Sequence, residues 1–278
     1  MPGIPFMELK AYLLTAIQAS LTAGSAILQI YDQNFSVEEK SDKSPLTLAD
    51  KKSHDIILSH LAQSGIPVLS EEGKNMDYAH RKDWETFWLV DPLDGTKEFI
   101  KKNGEFTVNI ALINKNLPVL GVIFVPVQSI LYFAAQNLGA YRFNIQNVAD
   151  VENLTIHDWI QRATPIRIDA EGVRPYTIVG SRSHASAEQE SYVKARQRDF
   201  PVVEFISAGS SLKFCQVAEG RADEYPRLGT TMEWDTAAGQ IIAEQAGARV
   251  LAYDAGLPLV YNKEDLKNPW FVVTNGRR

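Results

Sequence analysis

The sequence has a single cysteine, Cys215, among 278 residues. One thiol can form no internal disulfide and cannot supply a cysteine-rich zinc site. The fold is therefore stabilised neither by a disulfide nor by a cysteine-rich zinc site. So little cysteine is typical of a protein from a reducing compartment, and we expect this one in the cytoplasm.

Long uninterrupted apolar runs are also missing. Residues 1–30 mix apolar and polar side chains, with Glu8 and Lys10 inside the stretch. This pattern fits neither the apolar core of a signal peptide nor a membrane span. We expect no transmembrane segment, and at most a peripheral contact with a membrane.

Positive charge is scarce. The chain carries 28 Lys and Arg against 34 Asp and Glu, a net charge of −6, with no block of five or six like charges. A nucleic-acid polymer is therefore not the expected partner, because a broad basic surface normally supplies that affinity. A small anionic ligand bound in a local pocket is still compatible with this charge. With 45% apolar residues the chain can bury a full core, in one large domain or two packed ones.

Several common catalytic motifs are absent. The sequence contains no GxxxxGK[ST] loop, no Gly-x-Ser-x-Gly elbow and no HExxH pair, and its five histidines are scattered. These absences argue against ATP hydrolysis by a P-loop, against a serine hydrolase and against an HExxH metalloprotease.

The spacing of apolar residues predicts two unlike halves. In the first half we predict helices at 7–31 and 47–61, then strands at 66–70, 87–90, 106–113, 119–125 and 130–134. In the second half we predict strands at 176–179, 202–206, 222–225, 248–253 and 271–274, alternating with helices at 186–198, 210–219 and 235–246. Residues 142–172 are polar and read as irregular. We therefore divide the chain into an N-terminal α+β domain at 1–155 and a C-terminal α/β domain at 156–278.

Acidic residues recur where a predicted strand ends or a predicted helix begins. They are Asp50, Glu71 with Glu72, Asp91, Asp94 and Asp235. Asp91 and Asp94 are three residues apart, with Pro92 restricting the backbone between them and Gly95 permitting a tight turn. Carboxylates this close repel one another unless a proton or a cation lies between them. Because the set contains no His or Cys, Mg²⁺ suits it better than zinc.

Each of these acids has a plain alternative explanation. Asp-Pro-x-Asp-Gly is commonly a solvated turn, Glu71-Glu72 can be a charged loop, and Asp235 can be a helix N-cap. Their combination favours a metal site. Paired divalent cations suit phosphoryl transfer, because one can polarise the phosphate and activate a water while the other stabilises the leaving oxygen.

The order of four separated elements resembles the signature of the inositol monophosphatase superfamily, the lithium-sensitive, Mg²⁺-dependent phosphatases. The elements are Asp50, Glu71-Glu72, Asp91-Pro-Leu-Asp-Gly-Thr96 and Trp234-Asp235-Thr-Ala-Ala-Gly239. The resemblance implies an α/β (α+β) fold, a layered αβαβα sandwich, with the active site where the two halves meet.

A narrower resemblance comes from Lys97-Glu98-Phe99, where inositol phosphatases usually carry Thr-Asn-Phe, and from the stretch 103–111 that follows. This form is similar to the 3'(2'),5'-bisphosphate nucleotidases of the bacterial CysQ type. It implies hydrolysis of 3'-phosphoadenosine 5'-phosphate to AMP and phosphate in sulfate assimilation, and leaves action on 3'-phosphoadenosine 5'-phosphosulfate open. The alternatives are an inositol or sugar phosphatase of the same superfamily, and a nucleotide sensor without catalysis.

The resemblance implies a role for each acid. Glu71, Asp91 and the Leu93 carbonyl would hold one Mg²⁺, while Asp91, Asp94 and Asp235 would hold a second. Glu72 would support a further ion, for two or three per site. Thr96, hydrogen-bonded to Asp50, would orient the attacking water and help to deprotonate it. The backbone amides of Gly95 and Thr96 would cradle the phosphate.

The nucleotide would contact residues of the second half. Beside Asp235, the resemblance assigns His184, Ser210, Lys213 and Arg227 to substrate binding. Lys213 could equally be a solvated lysine, Arg227 a member of a surface ion pair and His184 a helix cap. Tyr176 and Phe214 read as core. The nucleotidases of this type are often monomers and are sometimes assigned to the inner face of the bacterial membrane. We therefore favour a monomer, cytoplasmic or peripheral on the cytoplasmic face of the inner membrane.

Overall fold

Two β-sheets, flanked and separated by helices, make up the fold. The computed structural model describes residues 4–31, 37–39, 45–73, 77–168, 174–181 and 187–277. Within them the helices are α1 (Phe6–Tyr31), α2 (Leu48–Leu61), α3 (Tyr78–Arg81), α4 (Thr96–Ile100), α5 (Ile156–Arg162), α6 (Ala187–Asp199), α7 (Leu212–Ala218) and α8 (Ala237–Ala246). The strands are β1 (Val37–Glu39), β2 (Pro45–Thr47), β3 (Val68–Ser70), β4 (Thr86–Asp94), β5 (Thr107–Asn114), β6 (Leu117–Val125), β7 (Ile130–Ala135), β8 (Gly139–Asn144), β9 (Thr164–Ile166), β10 (Tyr176–Gly180), β11 (Val203–Ser207), β12 (Glu224–Arg227), β13 (Arg249–Ala252) and β14 (Phe271–Thr274).

The larger sheet has seven strands in the order β3-β4-β5-β6-β7-β8-β9. β3 and β4 are parallel, and every later neighbour pair is antiparallel. The smaller sheet has the order β11-β10-β12-β14-β13, with β10 parallel to β11 and β12. A separate hairpin joins β1 and β2.

Both faces of the larger sheet are buried, which explains why its strands are almost continuously apolar. In β4, Trp88 and Val90 face a core shared with α1 and α2, while Phe87 and Leu89 face a core shared with α7 and α8. α6 covers the outer face of the smaller sheet through Tyr192. The layers therefore run helix, sheet, helix, sheet, helix, and the predicted αβαβα sandwich is confirmed.

A glycine brings α8 directly onto the larger sheet. A Cβ at Gly121 in β6 would lie 2.7 Å from the carbonyl oxygen of Ala238 in α8, closer than real Cβ contacts. Any side chain at position 121 would displace α8 from the sheet. This close contact sets the position of α8, and with it the turn that precedes the helix.

By length and composition alone, α1 is apolar enough to span a membrane, and it is the one helix in the described ranges that is. In its most apolar window, 61% of the residues are buried inside the protein. Leu13, Ile17 and Ile27 are fully buried in the core. α1 has the burial of a core helix.

The predicted irregular stretch 142–172 is wrong over much of its length. β8 ends there, and α5 and β9 follow, with β9 pairing to β8 so that the larger sheet continues to Ile166. Thr155 and Asp158 form a capping box that starts α5, and Trp159 is buried. The helix is too short for its apolar spacing to stand out. The division into domains at 155/156 stays a prediction.

Candidate active site

Three acidic side chains from the two halves of the chain meet at one point. Asp91 and Asp94 lie at the end of β4, and Asp235 ends the 3₁₀ turn Glu233–Asp235 before α8. One carboxylate oxygen of each residue lies within 4.8 Å of the others. The strand does not stop at Asp91 as predicted, but continues to Asp94 with a register shift against β5. That shift re-aims the side chains at the strand end.

Gly95 permits the turn that follows. Its φ is +96°, in the left-handed region, and a Cβ there would collide with the Ser210 hydroxyl. Only glycine meets both conditions. The turn leads directly into α4, which begins at Thr96, so Thr96 lies beside the acids.

Each of the three carboxylates is held by one oxygen. Asp91 Oδ1 accepts from the Leu93 amide at 3.1 Å, and Asp235 Oδ2 accepts from the Met232 amide at 2.9 Å. Asp94 Oδ2 accepts from the Ser211 hydroxyl at 2.9 Å. The second oxygen of each acid accepts no hydrogen bond from any residue that the structure describes. Acids that are fixed on one side and unused on the other are suited to binding a cation.

The charges of these acids oppose one another. Burial raises the pKa of Asp91 well above its ordinary range, and the negative charges of Glu71, Asp94, Asp235 and Asp50 raise it further. Burial and then Asp94 raise the pKa of Asp235 to about 8. Burial also raises the pKa of Asp94. A divalent cation would relieve this repulsion, and a donor set made only of oxygen suits a hard ion.

Glu71 and Asp50 reach the same region from other elements. Glu71 follows β3, and its amide donates to the Val90 carbonyl at 3.1 Å, next to Asp91. Asp50 is in the first turn of α2 and is 2% exposed. Both contribute to the raised pKa of Asp91, so the four predicted sequence elements come together. The hydrogen bond between Thr96 and Asp50, and a role for Glu72, stay predictions.

A cavity of about 110 Å³ adjoins the acids. Its lining includes Asp94, Glu98, Ser181, Ser210, Ser211, Lys213, Phe214, Tyr225, Arg227, Thr231, Asp235 and Thr236. It therefore brings together all the described residues predicted to bind substrate, apart from those of the turn at Gly95 and Thr96. His184 lies outside the described residues.

The two cations of the cavity are not ordinary surface residues. Lys213 is 6% exposed, and its Nζ donates to the carbonyls of Ser210 at 2.5 Å and Ala208 at 3.3 Å. Burial lowers its pKa to about 8, so the alternative of a solvated lysine is wrong. Arg227 donates through Nη2 to the Thr230 carbonyl, while its buried Nε has no hydrogen-bond partner among the described residues. An anion in the cavity would meet both cations.

Three buried polar residues behind Asp94 were not predicted as part of the site. Thr107 and Asn109 lie in β5, and Ser211 precedes α7. All three are at most 2% exposed. Asn109 donates to Asp94 Oδ2 at 3.4 Å, and the Thr107 hydroxyl oxygen lies 3.5 Å from the same atom. Polar residues at alternate positions of an apolar strand were the available signal. Tyr176 and Phe214 are buried, as predicted.

The layered fold is that of a class of phosphatases, and the acids at the junction of its halves are compatible with a metal site. The model of the inositol monophosphatase family matches residues 8–276, and the chain belongs to this family. This confirms the predicted superfamily.

Two relatives show which members of the family this chain resembles in sequence. The 3'(2'),5'-bisphosphate nucleotidase CysQ of Escherichia coli (strain K12) is 44% identical over 262 residues, covering 92% of this chain and 97% of that protein. The protein of the same name from Haemophilus influenzae is 36% identical over 270 residues, covering 95% and 91%. The resemblance to the CysQ type is thus confirmed.

Solved structures of inositol monophosphatase family members match the fold of this chain. The crystal structure of CysQ from Bacteroides thetaiotaomicron, a bacterial member of the inositol monophosphatase family, matches with a TM-score of 0.88 and 49% identity, over 97% of this chain and 98% of that one. The inositol monophosphatase from Anabaena (Nostoc) sp. PCC 7120 matches with a TM-score of 0.70 and 28% identity, over 97% and 92%.

Proposed function

We propose that this chain is a Mg²⁺-dependent 3'(2'),5'-bisphosphate nucleotidase. It is a phosphoric monoester hydrolase that converts 3'-phosphoadenosine 5'-phosphate to AMP and phosphate, within sulfate assimilation. The CysQ relatives, which carry that activity in their names, support this proposal over nearly the whole chain. The structural observation that carries it is that Lys213 and Arg227 line a cavity directly beside the acidic site.

Two adjoining groups of side chains, one of acids and one of two cations, suit a substrate with two phosphates. The acids, loaded with cations, take the phosphate that is cleaved, while Lys213 and Arg227 take the one that stays. Asp94 and Asp235 belong to both sites. An ester with a single phosphate would leave Lys213 and Arg227 without a phosphate to bind. This is why we prefer the nucleotidase to an inositol or sugar phosphatase.

Oxygen ligands for more than one cation are available. Glu71, Asp91 and the Leu93 carbonyl would hold one Mg²⁺, and Asp91, Asp94 and Asp235 a second, with Asp91 shared. When bound, Mg²⁺ neutralises the charge of the phosphate and of the leaving oxygen and lowers the pKa of water. Glu72 would support a further ion.

The residues of the chain itself orient the reactants. Thr96 would hold the attacking water through its hydroxyl, with Asp50 accepting a hydrogen bond and helping to remove the proton. The amides of Gly95 and Thr96 would hold the phosphate oxygens. His184 would contact the sugar or the base edge, and Ser210 would line the site of the remaining phosphate.

Substrate preference tests this proposal. Phosphate release is measured with Mg²⁺ from 3'-phosphoadenosine 5'-phosphate, from its sulfated form and from inositol 1-phosphate. We expect kcat/KM to be highest for a bisphosphorylated or phosphosulfated adenosine. A clear preference for inositol 1-phosphate would contradict the nucleotidase and leave the phosphatase class intact.

Location and assembly belong to the same proposal. A cytoplasmic monomer fits a nucleotide substrate and the single cysteine, which is buried. The helix α1, which is apolar enough to enter a membrane, packs into the core, and this favours a protein free of the membrane.

A further inference from the structure

Ser211 lies between the acids of the two halves. Its side chain is 2% exposed. The hydroxyl oxygen lies 2.9 Å from Asp94 Oδ2 and 2.9 Å from the backbone carbonyl oxygen of Asp235. One hydroxyl therefore contacts the carboxylate of Asp94, at the end of β4, and the backbone of Asp235, in the turn before α8.

The orientation of this hydroxyl is set by its neighbours. Thr107 donates its hydroxyl proton to Asn109 Oδ1 at 2.9 Å, which directs the amide nitrogen of Asn109 toward Ser211. That nitrogen donates to the Ser211 oxygen at 2.9 Å. Because the oxygen is already accepting from Asn109, the single Ser211 proton points toward the acids.

Of the two acceptors that face this proton, Asp94 is the stronger. A hydrogen bond to a carboxylate is stronger than one to a neutral carbonyl. Asn109 also donates to Asp94 Oδ2, but from 3.4 Å, against 2.9 Å for Ser211, and the Thr107 proton is already given to Asn109. Ser211 is therefore the main restraint on the Asp94 carboxylate. The Asp235 carbonyl oxygen, 2.9 Å from the same hydroxyl oxygen, is the weaker competitor for the proton.

We infer that Ser211 is a positioning residue that sets the affinity of the acidic site for a divalent cation. It acts through Asp94, whose carboxylate takes its proton and is thereby held in one orientation. The role in catalysis rests on the proposed function. The role in cation binding does not, because Mg²⁺ binding can be measured without substrate.

The test compares Ser211→Ala with the unaltered protein. Mg²⁺ is titrated into chelator-treated, dialysed protein by calorimetry, and the Mg²⁺ dependence of phosphate release is measured separately. We expect Ser211→Ala to bind Mg²⁺ about tenfold more weakly, the loss typical for a partner of a metal ligand. The Mg²⁺ concentration for half-maximal activity is expected to rise by the same factor. At saturating Mg²⁺ the KM for the nucleotide is expected to stay within about twofold, because bound Mg²⁺ then orients the acids in the variant as well.

Ser20→Ala is the matched control. Ser20 is buried like Ser211, but its hydroxyl donates at 2.8 Å to the Ile17 carbonyl within α1, away from the acids. We expect it to lower the melting temperature and leave Mg²⁺ affinity unchanged. Ser211→Cys, close in size to serine but a weak donor, is expected to resemble Ser211→Ala, and it carries the same test if the alanine variant does not fold.

Unchanged Mg²⁺ affinity in both Ser211 variants, with only a stability loss like that of Ser20→Ala, would overturn the inference. If the unaltered protein released no phosphate from the bisphosphate, the proposed function would fail instead. The calorimetric comparison would still decide the role of Ser211.

Discussion

The hydroxyl of Ser53 donates a hydrogen bond at 2.7 Å to the backbone carbonyl of Pro92. Ser53 is fully buried in α2, one turn after Asp50, and Pro92 lies in the turn between Asp91 and Asp94. This contact fastens the helix that carries Asp50 to the strand end that carries the metal-site acids. A helix and a strand far apart in sequence are thereby held at one separation.

We predict that Ser53→Ala lowers both stability and activity. The Pro92 carbonyl would lose its buried partner, at a cost of about 1–2 kcal/mol in the free energy of unfolding. Because Asp50 moves relative to Asp91, we also expect kcat to fall by about threefold or more. Denaturant unfolding and phosphate release measure the two effects. Equal kcat in Ser53→Ala and in Ser20→Ala would show that the contact is structural only.

Replacing Asp91 with Asn is expected to abolish turnover while stabilising the metal-free protein. Asp91 would be shared by two cations, so we expect kcat/KM to fall by about a thousandfold or more. Because the negative charge of Asp91 opposes its acidic neighbours, its removal is expected to raise the melting temperature in chelator at pH 8.

The same variant separates an enzyme from a nucleotide sensor. A sensor would keep its response after Asp91→Asn as long as ligand binding persists, whereas an enzyme loses turnover. Normal turnover in Asp91→Asn would refute the proposed metal site. A metal-free variant that melts lower than the unaltered protein would contradict the proposed repulsion.

Lys213→Gln is expected to act on one class of substrate. Loss of a buried cation that meets a phosphate costs about 1.5–3 kcal/mol, or about 10- to 150-fold in kcat/KM. We expect this loss with 3'-phosphoadenosine 5'-phosphate. With adenosine 3'-phosphate, which lacks the 5'-phosphate, a change of less than about threefold is expected, because Lys213 then has no phosphate partner. An equal loss with both substrates would remove Lys213 from recognition of the second phosphate.

The stability of the metal-free protein is expected to fall as pH rises from 6.5 to 8. The pKa of Asp235 is raised from 3.8 to about 8, so the folded state keeps a proton that the unfolded state has released. Its stabilising contribution is complete below pH 3.8 and is lost as pH rises through about 8. The pKa of Lys213 is lowered to about 8, so this side chain opposes the trend only near the top of the interval.

Thermal melts in chelator measure this slope, with Asp235→Asn as the matched control. The melting temperature of Asp235→Asn is expected to depend less steeply on pH. Added Mg²⁺ is expected to stabilise the protein more at pH 8 than at pH 6.5, because cation binding requires deprotonated carboxylates. A metal-free melting temperature that rises from pH 6.5 to 8 would contradict the raised pKa.

Much of the fold was accessible from the sequence because long buried strands and helices carry strong apolar patterns. α1, α2 and strands β5 to β7 lie within a few residues of their predicted bounds. α5 and β9 were missed because a seven-residue helix and a three-residue strand show too little periodicity. Their place in the fold depends on partners such as β8, which are remote from any local signal.

The sequence by itself determined the family, the acids and the turn, since Asp91, Asp94 and Gly95 are neighbours whose spacing carries the chemistry. The resemblance predicted that Asp235 joins them, and the structure brings it there. Only the tertiary structure decided that Lys213 is buried and lies with Arg227 in one cavity. It also decided that Ser211 and Asn109 stand behind Asp94. The physical reason is that burial and hydrogen-bond direction arise from packing between elements far apart in the chain, and no local pattern encodes them.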